Sequence, residues 1–245
     1  MMPSTPAASA SAKPKKTVVF CLPGRTFSNR FLTCWSNSLS ALIKSENYNV
    51  LLSNEYSSFV AFARAKCLGA DVLRGPDQKP FDGKVNYDVI VWIDSDMVWT
   101  SNQLVELIET AASVHPVVSG IYKMEDQVHF ATVPAWDDEY YAQHGSYMFL
   151  TQELIDRFRN ETGSHVMKCA YTGMGFMALR KGVLESMKYP WFCRNLHEIQ
   201  SSSSTNIVEG CSEDVAFCRG IKEQAGIDIL VNLNLRVGHE KAVVL

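Results

Sequence analysis

The stretch DVIVWIDSDMVWTSNQL, residues 88–104, places two carboxylates directly after an apolar run. Asp94 and Asp96 follow Ile93 and are separated by the single small residue Ser95. A run this apolar predicts a strand that is buried on both faces, as the strands of parallel sheets are. Two neighbouring acids repel each other unless a partner compensates their charge. This stretch therefore predicts both a parallel sheet and a charged site at its edge.

The segments on both sides of this run alternate between strand and helix patterns. Short apolar runs that end at Pro, Gly or polar residues predict strands, and apolar residues spaced three to four apart predict helices. Strands are predicted at 17–22, 48–54, 85–94 and 116–122, and helices at 28–45, 57–69 and 100–112. Ser57 or Ser58 is the expected cap of the second helix, and Thr100 with Gln103 forms a capping box for the third. This order predicts an α/β fold with a mostly parallel central sheet and helices on both faces.

The second half of the sequence is less regular. Residues 130–150 mix aromatic, acidic and Pro residues, and we expect a loop with an edge hairpin there. A strand followed by a short helix is predicted at 173–187, a serine-rich linker at 200–206, a helix ending at Gly226 at 212–226, and a closing strand at 228–239. The sequence therefore predicts a smaller, irregular region beside the sheet.

The composition is that of a globular protein. The 245 residues are 47% hydrophobic and carry a net charge of -3, which suits one domain with a sizeable core. This charge argues against a nucleic-acid partner. No apolar run approaches the roughly 18 residues of a transmembrane segment. Residues 1–15 lack the apolar stretch of a secretory signal, and we expect them to be a disordered tail.

Seven cysteines are present, an odd number, and none of them forms a C-x-x-C pair. This pattern favours reduced thiols over a disulfide framework or a zinc site. The sequence therefore predicts a cytoplasmic location.

A divalent cation is the simplest partner for Asp94 and Asp96. Ligands of open α/β sheets bind outside the carboxyl ends of the strands, where these two acids lie. Mg²⁺ or Mn²⁺ typically takes one or two carboxylates together with phosphate oxygens. The alternative is that Asp94 caps the following turn while Asp96 is solvated. The apolar strand before the acids and the capped helix after them favour a site for a metal ion and a diphosphate.

Six segments, in their order along the chain, resemble segments of the GT-A-fold glycosyltransferases, which use nucleotide-sugar donors. The segments are VVFCLPGR (18–25), FARAKCLGA (62–70), VIVWIDSDMVW (89–99), TGMGFMALRKGVL (172–184), SEDVAFCRGIKEQAG (212–226) and LNLRVGHE (233–240). The resemblance implies a Rossmann-like GT-A domain at 16–245, with a nucleotide-sugar-binding half at 16–125 and an acceptor-binding half at 126–245. It implies a glycosyltransferase with Mn²⁺ or Mg²⁺ as cofactor, a UDP-sugar as the expected donor, and a glycan or other hydroxyl compound as acceptor.

The resemblance also implies roles for single residues. Asp96 would ligate the metal directly, Asp94 would contact the ribose or reach the metal through water, and His239 would be a further ligand. Asp214 is the expected catalytic base of an inverting transfer, and Glu213 would orient Asp214 or the acceptor. The expected donor-binding residues are Pro23, Gly24, Arg25, Arg64, Lys66, Asp94, Ser95 and Gly173.

Several residues of these segments also have a purely structural interpretation. Glu213 and Asp214 suit the first turn of a helix capped by Ser212, because the helix dipole favours acids there. His239 could be a surface histidine, and Arg64 and Lys66 could lie on a solvated helix face. Gly173 and Gly175 could mark a bulge in a strand.

Two further segments are candidates for substrate contacts. Trp136 could stack on a sugar ring or anchor a loop, and Asp137 and Asp138 could bind acceptor hydroxyls or be solvated. We expect Ser201–Ser204 to become ordered over a bound donor and to exclude water.

Three other functions remain open from the sequence. A HAD-type phosphatase would use Asp94 as nucleophile, although its D-x-D motif usually lies on the first strand of the core. A nucleotide-sugar pyrophosphorylase would need a longer Gly-rich basic loop than LPGRTFSN, residues 22–29. A non-catalytic module with the same fold would bind a nucleotide or glycan without forming product.

Overall fold

A computed structural model of the protein describes residues 14–193, 195–202 and 206–241. Most of the predicted tail, and Ser203 and Ser204 of the predicted lid, therefore lie outside the described residues. The described strands are β1 Lys16–Pro23, β2 Tyr48–Glu55, β3 Val89–Ile93, β4 Met97–Val98, β5 Val117–Ile121, β6 Thr132–Val133, β7 Val166–Cys169, β8 Tyr171–Thr172, β9 Phe176–Arg180, β10 Leu196–Ile199, β11 Ile207–Gly210, β12 Ile229–Arg236 and β13 Gly238–His239.

The helices connect and cover these strands. They are α1 Asn29–Ser45, α2 Val60–Cys67, α3 Ser101–Ser113, α4 Asp138–His144, α5 Gln152–Thr162 and α6 Glu213–Gly220. Helix α6 continues as one π-helical turn, Ile221–Ala225, and ends at Gly226, which adopts a left-handed conformation as a C-cap. None of the helices in the described ranges is long and apolar enough to cross a membrane.

The central sheet has seven strands in the order β2-β1-β3-β9-β5-β12-β7. Strands β1 and β2 are parallel, as are β1 and β3, and β12 and β5. Strand β9 is antiparallel to both of its neighbours, β3 and β5, and β7 is antiparallel to β12. Five strands thus share one direction, which confirms the predicted mostly parallel sheet.

Helices cover both faces of this sheet, also as predicted. On one face, Phe20 and Val91 pack with Leu42 of α1 and Leu107 of α3. On the other face, the buried residues of β1 and β3 pack with α2 and α6; Cys21, Trp92, Cys67 and Phe217 belong to that cluster. The alternation of side chains along β1 and β3 therefore supplies apolar surface to both layers.

The strand directions bring separate parts of the sequence to one edge. The carboxyl ends of β1, β3 and β12 lie at this edge, and β9 begins there because it runs in the opposite direction. The two-residue strands β13 and β4 pair there, and this pairing sets His239 opposite Met97, next to Asp96. The predicted site residues Asp94, Asp96 and His239 therefore lie at this end of the sheet.

Several local predictions are corrected by the structure. Helix α2 begins at Val60 and its N-cap is Phe59, so neither Ser57 nor Ser58 caps it. The predicted edge hairpin at 130–150 is wrong, because the segment contains α4, which is capped by the side chain of Asp137. Helix α5 and the hairpin of β10 and β11 were not predicted.

Candidate active site

A buried ion pair joins α2 to the end of β3. Arg64 is 2% exposed, and its Nη2 lies 3.0 Å from the carboxylate of Asp94. The Arg64 Nε atom lies 3.6 Å from Oε1 of Glu213, and its guanidinium stacks 5.6 Å from the ring centre of Trp92. Arg64 therefore ties the first aspartate of the D-x-D motif to the first turn of α6.

This cluster contains more carboxylates than cationic groups. Burial lowers the pKa of Arg64, but the nearby Asp94 and Glu213 outweigh it, so the guanidinium stays charged. Burial raises the pKa of Glu213, and repulsion from Asp214 adds to this. One guanidinium thus faces three carboxylates. Its Nη1 atom is buried and has no hydrogen-bond partner among the described residues.

This arrangement bears on the phosphatase alternative. A nucleophilic Asp94 would need a carboxylate oxygen free to attack phosphorus. In the structure, Arg64 Nη2 lies 3.0 Å from both oxygens of Asp94; Oδ2 accepts a hydrogen bond from it, whereas Oδ1 has no hydrogen-bond partner among the described residues. The charge of Arg64 makes the Asp94 carboxylate a weaker nucleophile, which disfavours the phosphatase alternative.

The second aspartate has a different partner. Asp96 Oδ2 lies 3.1 Å from Nε2 of His239 and accepts a hydrogen bond of 2.9 Å from Lys241. The other ring nitrogen of His239, Nδ1, lies 2.8 Å from the carbonyl oxygen of Lys123. Because this carbonyl can only accept a hydrogen bond, Nδ1 carries a proton and the orientation of the ring is fixed. His239 Nε2 and Asp96 Oδ2 therefore face each other within hydrogen-bond distance.

These contacts perturb both groups. Burial raises the pKa of Asp96, but hydrogen bonds from His239 and Lys241 outweigh burial and lower it to about 2. The hydrogen bond to Asp96 raises the pKa of His239, against the opposing effect of burial. Two cationic groups thus compensate Asp96 in the structure.

The predicted metal set of Asp94, Asp96 and His239 is not assembled. Within the described ranges, no group of three or more His, Cys, Asp or Glu side chains is arranged to hold a metal ion. The physical reason is that Arg64 holds Asp94, whereas Asp96 pairs with His239. One carboxylate and one imidazole whose Nδ1 is already fixed do fit a divalent cation that takes its other ligands from phosphate and water. We keep Asp96 and His239 as the predicted ligands.

The predicted base lies at the start of α6. Asp214 Oδ2 accepts a hydrogen bond of 2.9 Å from the hydroxyl of Tyr171. Its Oδ1 atom accepts hydrogen bonds from Ser212 Oγ and, at 2.9 Å, from the backbone N–H of Val215. A carboxylate offers about four acceptor positions, so these three donors orient Asp214 and leave room for one more hydrogen bond. Ser212 is the N-cap residue of α6, but its side chain does not bond a helix N–H as the structural interpretation assumed.

The loop after β1 contacts the D-x-D motif. A side chain at Gly24 would lie 2.9 Å from Cβ of Ser95, so the absence of a side chain allows the two loops to meet. Pro23 is the last residue of β1. Arg25 is exposed and lies 5.8 Å from the ring centre of Tyr56. The predicted donor-binding residues Pro23, Gly24 and Ser95 are therefore neighbours.

Gly173 has a structural reason to be glycine. A Cβ atom there would lie 2.1 Å from the hydroxyl oxygen of Tyr122, and one at Gly175 would lie 2.9 Å from it. The Tyr122 hydroxyl accepts a hydrogen bond of 3.2 Å from the backbone N–H of Gly175. Gly173 thus makes room for a buried tyrosine, and its predicted contact with a donor stays a prediction.

Other predicted contacts lie apart from this cluster. Lys66 follows Arg64 by two residues, roughly 200° around the helix axis, and is exposed. Asp137 caps α4, and Asp138 accepts a hydrogen bond of 2.8 Å from Tyr147. Trp136 stacks 4.3 Å from the guanidinium of Arg219. The contacts of Trp136, Asp137 and Asp138 match those of a loop anchor.

Sequence reasoning missed Tyr122, Tyr171 and Lys241. Burial raises the pKa of Tyr122, and Asp94 and Asp214 add to this, so its hydroxyl stays protonated between the acids. Tyr171 directly precedes the segment 172–184 that carried the resemblance, and Lys241 follows LNLRVGHE. Proximity to these motifs was the available signal.

Comparisons with known proteins give only distant likenesses. No protein-family model matches the chain, and no curated protein does. The structure of A197 from STIV matches at 16% identity over 94% of this chain and 96% of that chain, with a TM-score of 0.46. Glucosyl-3-phosphoglycerate synthase from Mycobacterium tuberculosis, in complex with Mn²⁺, UDP-glucose and phosphoglyceric acid, matches at 13% identity over 94% of this chain and 73% of that chain, with a TM-score of 0.41.

The inositol-1-phosphate CTP transferase from T. maritima matches at 10% identity over 94% of this chain and 91% of that chain, with a TM-score of 0.40. At TM-scores below 0.5 these likenesses decide nothing about function. The function of this chain therefore has to rest on its own residues.

Proposed function

We propose that the protein is a metal-dependent glycosyltransferase of the GT-A type that moves a sugar from a UDP-sugar to a hydroxyl acceptor with inversion. The observation that carries this proposal is the convergence of Asp96 and His239 Nε2, 3.1 Å apart at the carboxyl end of the central sheet. The carbonyl of Lys123 holds the far side of the imidazole, as outer partners of metal-binding histidines do.

The donor would bind across the edge of the sheet. Asp96 and His239 would hold Mn²⁺ or Mg²⁺, which when bound would supply electrostatic stabilisation for the departing diphosphate. Arg64 would place its positive charge near the anionic part of the donor while it holds Asp94. Gly24 and Ser95 would let the backbone approach the nucleotide closely, because neither residue carries a bulky side chain.

Asp214 would accept the proton of the acceptor hydroxyl. Tyr171 and Ser212 hold its carboxylate in one orientation, which is what a general base requires. Attack by the activated hydroxyl on the anomeric carbon, from the face opposite the leaving group, inverts the configuration there. Glu213 contacts Arg64, so we assign it the positioning of this guanidinium and no contact with the acceptor.

Nucleotide binding tests the metal part of the proposal. We expect calorimetry to show UDP binding that requires Mn²⁺ and is lost in Asp96→Ala and in His239→Ala. Asp126→Ala is the matched control, because Asp126 forms a similar contact of 2.7 Å with His129 on an exposed surface. Metal-dependent binding that survives in Asp96→Ala would remove the basis of the proposal.

Turnover tests the catalytic part. We expect Asp214→Asn to bind UDP and Mn²⁺ normally and to lose about 10²–10⁴-fold in transfer rate, the usual contribution of a general base. NMR of the product would give the anomeric configuration, and retention would contradict a single displacement with Asp214 as base. A protein that binds UDP but forms no product from any sugar donor would instead be the non-catalytic module.

A further inference from the structure

A cavity of about 240 Å³ lies beside α6, away from the cluster of Asp94, Asp96 and His239. Trp191, His197 and Arg219 are among its lining residues, and Glu223 also lines it. We call it the α6 cavity. Its position places it between the C-terminal part of α6 and the segment that leads into β10.

Three nitrogen atoms of the lining residues are buried and have no hydrogen-bond partner. They are Nε1 of Trp191, Nδ1 of His197 and Nε of Arg219. Trp191 is 2% exposed, so its indole N–H cannot donate a hydrogen bond to bulk water. A buried donor without a partner costs free energy, and native structures rarely retain several of them in one place.

Arg219 is held in position by other contacts. Its Nη2 donates to the hydroxyl of Tyr147 at 3.1 Å, and its guanidinium carbon lies 4.3 Å from the ring centre of Trp136. Burial and the charge of Arg219 lower the pKa of His197 against the opposing charges of Asp138 and Glu209, so the imidazole is neutral and can donate from Nδ1 in one tautomer. The guanidinium of Arg219 is thus already oriented.

The acceptor groups around the cavity are already in use. Oδ1 of Asn195 accepts from the thiol of Cys193, and Oε1 of Gln224 accepts from the backbone N–H of Lys188. Glu223 is exposed, so its carboxylate can remain in water at the rim. The α6 cavity therefore offers a guanidinium and unpartnered N–H donors but no unpartnered buried side-chain oxygen among its described residues.

We propose that the α6 cavity binds a compact oxyanion, a phosphate or carboxylate group, through Trp191 Nε1, His197 Nδ1 and Arg219 Nε. An oxyanion supplies several acceptor oxygens at once and compensates the guanidinium charge, which a single water molecule does not. The site does not depend on sugar transfer. Its lining residue Arg219 stacks on Trp136, whose ring centre lies 6.5 Å from that of Tyr171, which bonds Asp214.

Indole resonances give a direct test with the whole chain. The protein has five tryptophans, and the N–H signal of Trp191 is identified by its loss in Trp191→Phe. We expect inorganic phosphate or malonate, added at constant ionic strength, to shift this signal with a saturating titration curve. A phosphate-only response assigns a phosphate group, and a malonate-only response assigns a carboxylate. If neither anion shifts the signal, the donors are satisfied by water and the proposal is wrong.

Two charge variants check the assignment from both directions. Arg219→Gln should weaken anion binding by at least about tenfold, since a charge-assisted hydrogen bond is lost. Glu223→Gln should tighten binding about twofold or more, because it removes a negative charge from the rim. Trp35→Phe, remote from the cavity, should leave the affinity unchanged. Because Arg219→Gln also disturbs Tyr147, a normal thermal unfolding curve is required of it, and an unchanged affinity in both charge variants would contradict the proposal.

Discussion

Arg64 is a charged side chain buried among other charged groups. Its removal would leave a partly buried carboxylate without a counter-charge and would lower the stability of the fold. Its Nη2 compensates Asp94 at 3.0 Å, and Asp94 would remain partly buried without a counter-charge. We expect Arg64→Met to lower the free energy of unfolding by about 3 kcal/mol, since breaking one partner of a buried ion pair is strongly destabilising. Urea unfolding followed by circular dichroism measures this.

The same helix provides the control for Arg64. Lys66 is exposed two residues later, and Lys66→Met should change stability by no more than about 0.5 kcal/mol. A cost for Arg64→Met as small as that for Lys66→Met would mean that water reaches Asp94 easily and that the cluster is not a low-dielectric site.

Asp96 and His239 make stability depend on pH in opposite directions. The pKa of Asp96 is lowered to about 2, so its contribution is present above the unfolded value of about 3.9 and is lost as pH falls toward 2. The pKa of His239 is raised, so its contribution is present below about pH 6.5 and is lost as pH rises through the raised value. The pair therefore stabilises the fold most between about pH 4 and 6.5.

We expect Asp96→Asn to flatten both sides of this pH profile, because asparagine keeps the shape of the side chain but not its charge. Urea unfolding at several pH values without added metal measures the profile. Asp77→Asn, which removes an exposed partner of Lys188, should leave the profile unchanged. A profile for Asp96→Asn that parallels the unmodified protein would show that this pair contributes nothing.

The capping box at the start of α3 was predicted correctly from the sequence. Thr100 Oγ1 accepts from the backbone N–H of Gln103, and Gln103 Oε1 accepts from the backbone N–H of Thr100 at 2.9 Å. We expect Thr100→Ala to cost about 1 kcal/mol in unfolding free energy. Thr110 lies within the same helix, so Thr110→Ala should be neutral or slightly stabilising. Equal changes in unfolding free energy for Thr100→Ala and Thr110→Ala would show that the capping box does not stabilise the helix.

The turn between β8 and β9 depends on the fit of Tyr122 against Gly173. A Cβ atom at Gly173 would lie 2.1 Å from the Tyr122 hydroxyl oxygen and 3.1 Å from the ring carbon that bears it. We expect Gly173→Ala to cost about 1–3 kcal/mol through overpacking. In a Tyr122→Phe background the same change should cost less, because the closest clashing atom is gone.

A double-mutant cycle measures this coupling by thermal or urea unfolding. Gly210→Ala is the control, since a side chain there meets nothing within 4 Å. Strict additivity of Gly173→Ala and Tyr122→Phe would mean that the backbone moves away and that Tyr122 does not fix this turn.

The missed helices show where sequence patterns were overlooked. Helix α5 carries its own signals, because Thr151 caps it and Gly163 ends it in a left-handed conformation. Helix α4 has seven residues and no buried side chain, so it lacks an apolar stripe that could predict it. Its cap, Asp137, was instead weighed as a possible ligand of an acceptor.

At the scale of the whole molecule, the sequence predicted the layers of the fold but not the order of its strands. Alternating strand and helix patterns imply a parallel sheet, whereas the insertion of β9 between β3 and β5 depends on contacts far apart in sequence. The same limit applies to the site. Asp94, Asp96 and His239 were predicted as site residues from the sequence. Their ion pairs with Arg64 and Lys241 could not be predicted, because they depend on how helix α2 and the C-terminal segment pack.

The labelling rates of the cysteines can show whether the side of the sheet that packs against α2 and α6 opens cooperatively. All seven are free thiols, and Cys21, Cys67 and Cys218 belong to the core cluster on that side. Burial raises the pKa of Cys67 to about 11, so about one molecule in a thousand carries the thiolate at pH 8. Burial also raises the pKa of Cys21 and Cys218. These thiols should react only after the core opens.

We therefore expect a thiol reagent at pH 8 to label the half-buried Cys34 and Cys193 rapidly and the remaining five slowly, with all seven reacting at once in urea. Cys169 belongs to the slow group, because desolvation of its thiol raises its pKa. The slow rates of Cys21, Cys67 and Cys218 should coincide, since one cooperative opening exposes them all. Mass spectrometry of the labelled peptides separates the sites, and Cys34→Ser should remove one fast site only. Labelling of Cys67 at the rate of Cys34 would show that this layer opens locally, without the rest of the core.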